Sequence, residues 1–136
     1  MKLNRFTVVM TAYSSSREEY SNERCMNLLI EQLCGENRRF QFDHAKGMYK
    51  GEAEPALAVQ CNDFTDVGML LQWARDYKQE SILIVDARGK AFLLYCNNSY
   101  MEYLGKLYSH DLKEFGEPSI MPDSYTVMNG IMYYTV

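Results

Sequence analysis

Hydrophobic and polar positions along the chain switch between a period of two and a period near 3.6, and each switch marks an element. Residues 5–13 (RFTVVMTAY) are rich in β-branched and aromatic side chains without helical spacing, so they predict a buried strand that ends in Ser14, Ser15 and Ser16. Ser16 and Glu19 have the spacing of a capping box, in which each side chain satisfies the other's backbone N–H, so a helix is expected to start there. Met26, Leu29, Ile30 and Leu33 fall on one face of that helix, opposite Glu23, Arg24, Asn27 and Glu31, and Gly35 is placed to end it. Phe40, Phe42 and His44 then alternate with Arg39, Gln41 and Asp43, and Leu57, Val59 and Cys61 alternate with Ala56, Ala58 and Gln60. These are two strands, with a turn region over residues 47–55 and Pro55 confined to a strand entry or an edge.

Asp63 or Thr65 caps a second helix, whose stripe is Phe64, Val67, Leu70, Leu71, Ala74 and Tyr77 with Trp73 beside it. The runs SILIV (81–85) and AFLLYC (91–96) predict a hairpin across residues 86–90, with Gly89 free to take positive φ. The resulting order is β-α-β-β-α-β with an added strand. It predicts an α+β, ferredoxin-like sandwich with an extra β-hairpin and both helices on one face. Beyond it, Tyr100, Tyr103 or Leu104, and Leu107 predict a short helix weakened by Gly105, while residues 125–136 predict a terminal strand or hairpin. The expected organisation is a single domain over residues 1–136, with a core over about 5–96 and a C-terminal extension from about 97.

Composition narrows the function classes. At 136 residues with 47% hydrophobic and 24% charged positions, the chain has the make-up of a globular domain. No apolar run approaches the roughly 20 residues of a membrane span, and the N-terminus runs into a strand-like segment, so no membrane partner and a cytoplasmic location are expected. Cys25, Cys34, Cys61 and Cys96 form no C-x-x-C pair and only two histidines are present, which leaves no spacing for a metal site or a disulfide framework. His44 and His110 read as structural, since no serine stands in a G-x-S-x-G elbow. Asp63 and Asp66 flank a helix start, where carboxylates face the helix dipole. A net charge of -4 argues against nucleic acid and favours a cationic or neutral small partner. The third strand and the SILIV run are apolar on both sides, and the tail adds Tyr125, Met128, Met132, Tyr133 and Tyr134; such surfaces ask for burial against other subunits.

Residues 47–55 hold the most chemistry: a phenol at Tyr49, carboxylates at Glu52 and Glu54, and glycines at 47 and 51. Composition alone makes them a solvated hairpin loop. Their neighbours change the reading. The strand from Phe6 to Tyr13 with its polar loop, the Gly47-Met48-Tyr49 element, Glu54 five residues before Val59, the run Gln60-Cys61-Asn62-Asp63, a helix, and the strands at 81–85 and 91–95 follow in this order. Together they resemble the phage-encoded S-adenosylmethionine-degrading enzymes, anti-restriction hydrolases later interpreted as lyases. The resemblance covers about residues 6–95, and the last forty residues carry no match. It implies that Tyr49 and Glu54 line the active site, although the segment between them is shorter than in the coliphage enzyme. It also implies a homotrimer like trimeric nucleotide-binding regulators, with the 47–55 loop meeting a neighbour's first-strand loop in active sites shared between subunits, in a host cell cytosol if the chain is phage-encoded.

The implied substrate is S-adenosylmethionine. The implied reaction gives 5'-methylthioadenosine and L-homoserine lactone by attack of the substrate's own carboxylate on its γ-carbon. A sulfonium is already an excellent leaving group, so the expectation is an enzyme with no metal and no other cofactor. Holding the carboxylate in near-attack geometry is the main demand, and orientation alone supplies about 7–11 kcal/mol. Glu54 would hold the cationic end, Tyr49 would orient the substrate or present its ring to positive charge, and Ser14, Ser15 and Ser16 would offer backbone amides to the substrate carboxylate, with Met48 completing the substrate-binding set. Three other readings share these features: a hydrolase giving homoserine, a non-enzymatic trimeric small-ligand regulator on the same fold, and a protein-binding inhibitor of a host enzyme.

Overall fold

A computed structural model of the chain describes residues 5–35, 40–49 and 51–135. Arg39 and Lys50, which the sequence pattern places in a strand and a turn, lie outside the described residues, as does the side chain of Tyr49. The order of elements is β1 (Phe6–Met10), α1 (Glu19–Leu33), β2 (Phe42–Tyr49), β3 (Glu52–Cys61), α2 (Phe64–Asp76), β4 (Ser81–Asp86), β5 (Lys90–Tyr95), β6 (Met101–Asp111), α3 (Leu112–Phe115), β7 (Ser124–Met128) and β8 (Ile131–Thr135). The chain is α+β, and its strands form one closed antiparallel barrel in the order β1-β3-β2-β7-β8-β6-β5-β4.

The two long helices form where the apolar stripes predict them. Met26, Leu29 and Leu33 of α1, and Val67, Leu70, Leu71 and Ala74 of α2, are buried with Val8 and Met10 of β1, Leu57, Val59 and Cys61 of β3, and Ile82 and Ile84 of β4. This helix-covered side is the outer face of the barrel, and the side turned away from the helices is the inner face. Asp63 caps α2 by accepting from the Asp66 N–H at 3.1 Å, and the Asp66 carboxylate accepts from the Asn62 N–H at 2.9 Å, so two otherwise unpaired donors are satisfied reciprocally. The start of α1 differs from expectation. Ser16 caps nothing; the Ser14 and Ser16 hydroxyls bond each other at 2.8 Å, Arg17 N–H closes a turn onto the Ser14 carbonyl, and the helix begins at Glu19 after a Glu18 with no side-chain cap. The serines spend their hydrogen bonds on their own turn, so the helix starts later.

The hairpin expected across residues 86–90 is present, and the terminal segment, expected as a strand or a hairpin, is a hairpin. β4 and β5 turn at Gly89, φ 83°, with both the Arg88 and Lys90 N–H groups donating to the Asp86 carboxylate. β7 and β8 turn through Asn129 and Gly130, both at positive φ, the signature of a two-residue hairpin turn.

Three expectations are corrected. The sheet is not an open sandwich with an appended extension: β6, β7 and β8 continue it until it closes. Residues 101–107 are not a helix but part of β6, because β5 pairs with residues 101–106 and β8 takes up the same strand from Leu107 onward, and this pairing outweighs the segment's helix-compatible spacing. Gly105, φ 118°, sits at a register shift against Ala91 and Phe92, a bulge instead of a helix break. Residues 47–55 are mostly not a turn region either. β2 and β3 stay paired from Phe42 opposite Val59 out to Tyr49 opposite Glu52, since β7 gives the far edge of β2 a partner from Lys46 to Tyr49. Pro55 stands beyond the last β1 partner, Leu57, where β3 has a neighbour on one side only. Among the described residues no helix is long and apolar enough to cross a membrane.

Candidate functional site

In a β-strand successive side chains point to opposite faces, so the burial of β3 separates two functions along one segment. Leu57, Val59 and Cys61 enter the core on the outer face, while Glu54, Ala56, Ala58 and Gln60 alternate onto the inner face. Directly paired residues on neighbouring strands share a face. Glu54 is therefore aligned with Gly47 of β2, and Ala56 with Ala45. A Cβ added at Gly47 would meet nothing closer than the Glu54 carbonyl oxygen at 3.9 Å, so the space above Gly47 is open. The inner face beside Glu54 is thus a trough floored by Gly47, Ala45, Ala56 and Ala58.

Glu54 is half-buried, and no described residue forms a hydrogen bond or ion pair with it. Burial raises its pKa above the ordinary glutamate value, and the negative charge of Glu52, two residues away on the same face, raises it further. A carboxylate to which the described residues offer no cation, set in a partly apolar wall, is a receptor for positive charge, because a bound cation relieves both causes at once. Tyr49 lies at the end of the same ladder, with its backbone opposite Glu52 and Ser124.

The serine loop reaches the same end of the sheet. β1 leaves its last partner at Met10 opposite Leu57, and the Thr11 hydroxyl then donates to the Pro55 carbonyl at 2.7 Å, next to Glu54. Much of the loop's own hydrogen bonding is internal. The Ser14 N–H donates to the buried Asn22 side chain at 2.9 Å, Asn22 returns a bond to the Ser14 carbonyl at 3.0 Å, and the Ser16 N–H donates to the Ser14 hydroxyl at 3.3 Å. Arg17 clamps the loop from below through the carbonyls of Ala12 and Tyr77. Of the three serines, Ser15 alone has an N–H with no hydrogen bond to a described residue.

Met48 is not brought together with Glu54. It pairs with Ala53 and Tyr125 on the outer face, where with Lys46, Leu112, Val127 and Met132 it borders a cavity of about 150 Å³ beneath α3. Among the described residues no group of three or more His, Cys, Asp or Glu is arranged to hold a metal ion. His110 bonds the Gly116 carbonyl at 2.7 Å and leans on Phe115, a structural contact.

What the sequence missed is the continuation of the Glu54 row. Gly47 is also opposite Thr126 of β7, Thr126 is opposite Tyr133 of β8, and Tyr133 is opposite Ser109 of β6. The only sequence signal was the abundance of tyrosine in the tail, which by itself reads as core or contact.

The family model for the S-adenosylmethionine lyase family matches residues 8–136. The match takes in β7 and β8 as well as the segments that carry the resemblance, so it reaches beyond residue 95 to the end of the chain. A search of curated proteins finds no match. The chain belongs to the S-adenosylmethionine lyase family, and membership implies an enzyme that acts on S-adenosylmethionine.

Proposed function

We propose that this chain cleaves S-adenosylmethionine to 5'-methylthioadenosine and L-homoserine lactone, without a metal or other cofactor, in an anti-restriction role in the cytosol of a host cell. The observation that carries the reading is the half-buried carboxylate of Glu54, without a partner among the described residues, beside Glu52 and an open apolar trough. In the reaction the substrate's carboxylate oxygen forms a bond to the γ-carbon as the carbon–sulfur bond breaks, and the sulfur keeps the electron pair. No proton moves. A negative and a positive charge disappear together, so an apolar wall favours the transition state over the separated charges.

That charge balance assigns Glu54 to the ammonium end of the substrate. A carboxylate on the sulfonium would stabilise the ground state more than the transition state and slow the reaction. The ammonium keeps its charge throughout, and gripping it fixes the attacking carboxylate on the same carbon. Tyr49 orients the substrate at the hairpin end, and the amide of Ser15 is the remaining donor in the serine loop for the substrate carboxylate. The pairing order β4-β1-β3-β2 under α1 and α2 supports a ferredoxin-like unit as the scaffold. The exposed outer-face rings of Tyr103 and Tyr108, with Tyr134 stacked on Tyr108, support burial against other copies in a homotrimer with shared sites.

Incubation of the pure protein with S-adenosylmethionine and excess chelator should yield 5'-methylthioadenosine and lactone at the same rate as without chelator. No turnover would refute the enzyme, full inhibition the metal-free step, and solvent oxygen in freshly formed product the lyase in favour of a hydrolase. Light scattering should give three times 15.9 kDa. Mixing Glu54→Gln subunits with subunits altered at Ser14, Ser15 and Ser16 should restore activity through hybrid sites; an active monomer would sink the shared site.

A further inference from the structure

We infer that Thr126 and Tyr133, in the C-terminal hairpin, bind the nucleoside half of the substrate, with Tyr133 presenting its ring to the adenine and Thr126 its hydroxyl to the ribose. This rests on the reading of Glu54 as the ammonium site. Glu54, Gly47, Thr126 and Tyr133 occupy one row across β3, β2, β7 and β8, each directly opposite the next. Their side chains therefore share the inner face. Gly47 contributes no side chain, so the row is a slot with a carboxylate at one end, a hydroxyl across the gap and a phenol beyond it. Three strand spacings of about 4.8 Å separate the end members, a span that fits the whole extended sulfonium nucleoside and exceeds its amino-acid half alone.

Two further observations support the assignment. Thr126 and Tyr133 are half-buried, and neither side chain has a hydrogen bond or ring contact with a described residue. The adjacent Tyr134 is differently engaged: it stacks on Tyr108 at 5.9 Å on the other face. Tyr133 is thus a ring on the face of an apolar trough, without an aromatic ring contact among the described residues. Purine rings stack on such a surface, and every ring contact excludes water from the reacting sulfonium.

The test separates the two halves of the site by using a product that lacks the amino acid. 5'-Methylthioadenosine carries the adenine and ribose but no ammonium. In calorimetric titration of the full chain, Tyr133→Leu should weaken its binding by about tenfold or more, the scale of one lost base–aromatic stack. Tyr133→Phe should keep the affinity, and Glu54→Gln should leave it within about twofold while abolishing turnover. With S-adenosylmethionine, Tyr133→Leu should raise KM more than it lowers kcat.

Wild-type affinity for 5'-methylthioadenosine in Tyr133→Leu, with an unchanged KM, would overturn the inference while leaving the lyase intact. A wild-type chain that binds the nucleoside through Tyr133 yet never cleaves S-adenosylmethionine would instead overturn the lyase and keep this site. Should Tyr133→Leu fail to fold, Thr126→Val decides. This near-isosteric change should cost several-fold in nucleoside affinity, and no change would refute the contact.

Discussion

The two faces of β3 are built from the same stretch, residues 54–61, and have opposite properties. Leu57, Val59 and Cys61 are sealed against α1 and α2, with Leu57 and Val59 at 0% exposure. Each large apolar side chain removed from water there contributes about 1.5–3 kcal/mol. Ala56 and Ala58, one residue out of phase, are also buried but bring almost no side chain, and the next inner position is the carboxylate of Glu54. The outer face maximises packed volume. The inner face gives up volume to keep a trough open and places in its wall a charge with no partner among the described residues, a local cost to folding that a bound cation would offset. Stability and function are thus separated by a period of two within one strand.

The largest effect expected from breaking this division is on the outer face. Leu57→Ala leaves a cavity under both helices and should cost about 2–5 kcal/mol in denaturant unfolding, with the specific activity of the remaining folded protein preserved. Loss of activity at full foldedness would mean that the outer face also serves the reaction. On the inner face, Glu54→Gln should cut kcat/KM by at least about a hundredfold, the scale of one lost electrostatic contact, and should keep or raise Tm.

The sign of the Tm change follows from the raised pKa. The folded chain holds this proton more readily than the unfolded chain. Stability contributed by Glu54 therefore falls as pH rises from the ordinary glutamate value through the raised folded value, and the penalty persists at neutral pH. A marked drop in Tm would show instead that Glu54 is a structural group.

A smaller effect is expected at Gly47. Its backbone is not in the left-handed region and the space above it is open, so Gly47→Val should fold, yet the side chain would enter the slot and raise KM by about tenfold. An unchanged KM would place the substrate elsewhere. The smallest change should come from Glu52→Gln. Activity of the free enzyme should fall on the acid side as Glu54 takes up its proton, with a midpoint above that of an ordinary glutamate, and removing the second cause of the shift should move that midpoint down. A midpoint that stays put would leave burial as the sole cause.

The sequence by itself determined what short-range chemistry determines. The stripes of α1 and α2, the Asp63 cap, the β4–β5 turn at Gly89 and the terminal hairpin were legible because each depends on residues within a few positions of one another. Glu54 was legible only through its resemblance to a family, since a glutamate in a Gly-rich stretch is otherwise a solvated loop residue. Tertiary structure decided the rest. Residues 101–107 satisfy a helical spacing as well as an extended one, and only pairing with β5, continued from Leu107 by β8, settles them as strand. The 47–55 segment is a ladder because β7, some eighty residues later, pairs with β2. The alignment of Glu54 with Thr126 and Tyr133 exists for the same reason. A row across a barrel is made by register between strands distant in sequence, and that register is fixed when the sheet closes, not by any pattern along the chain.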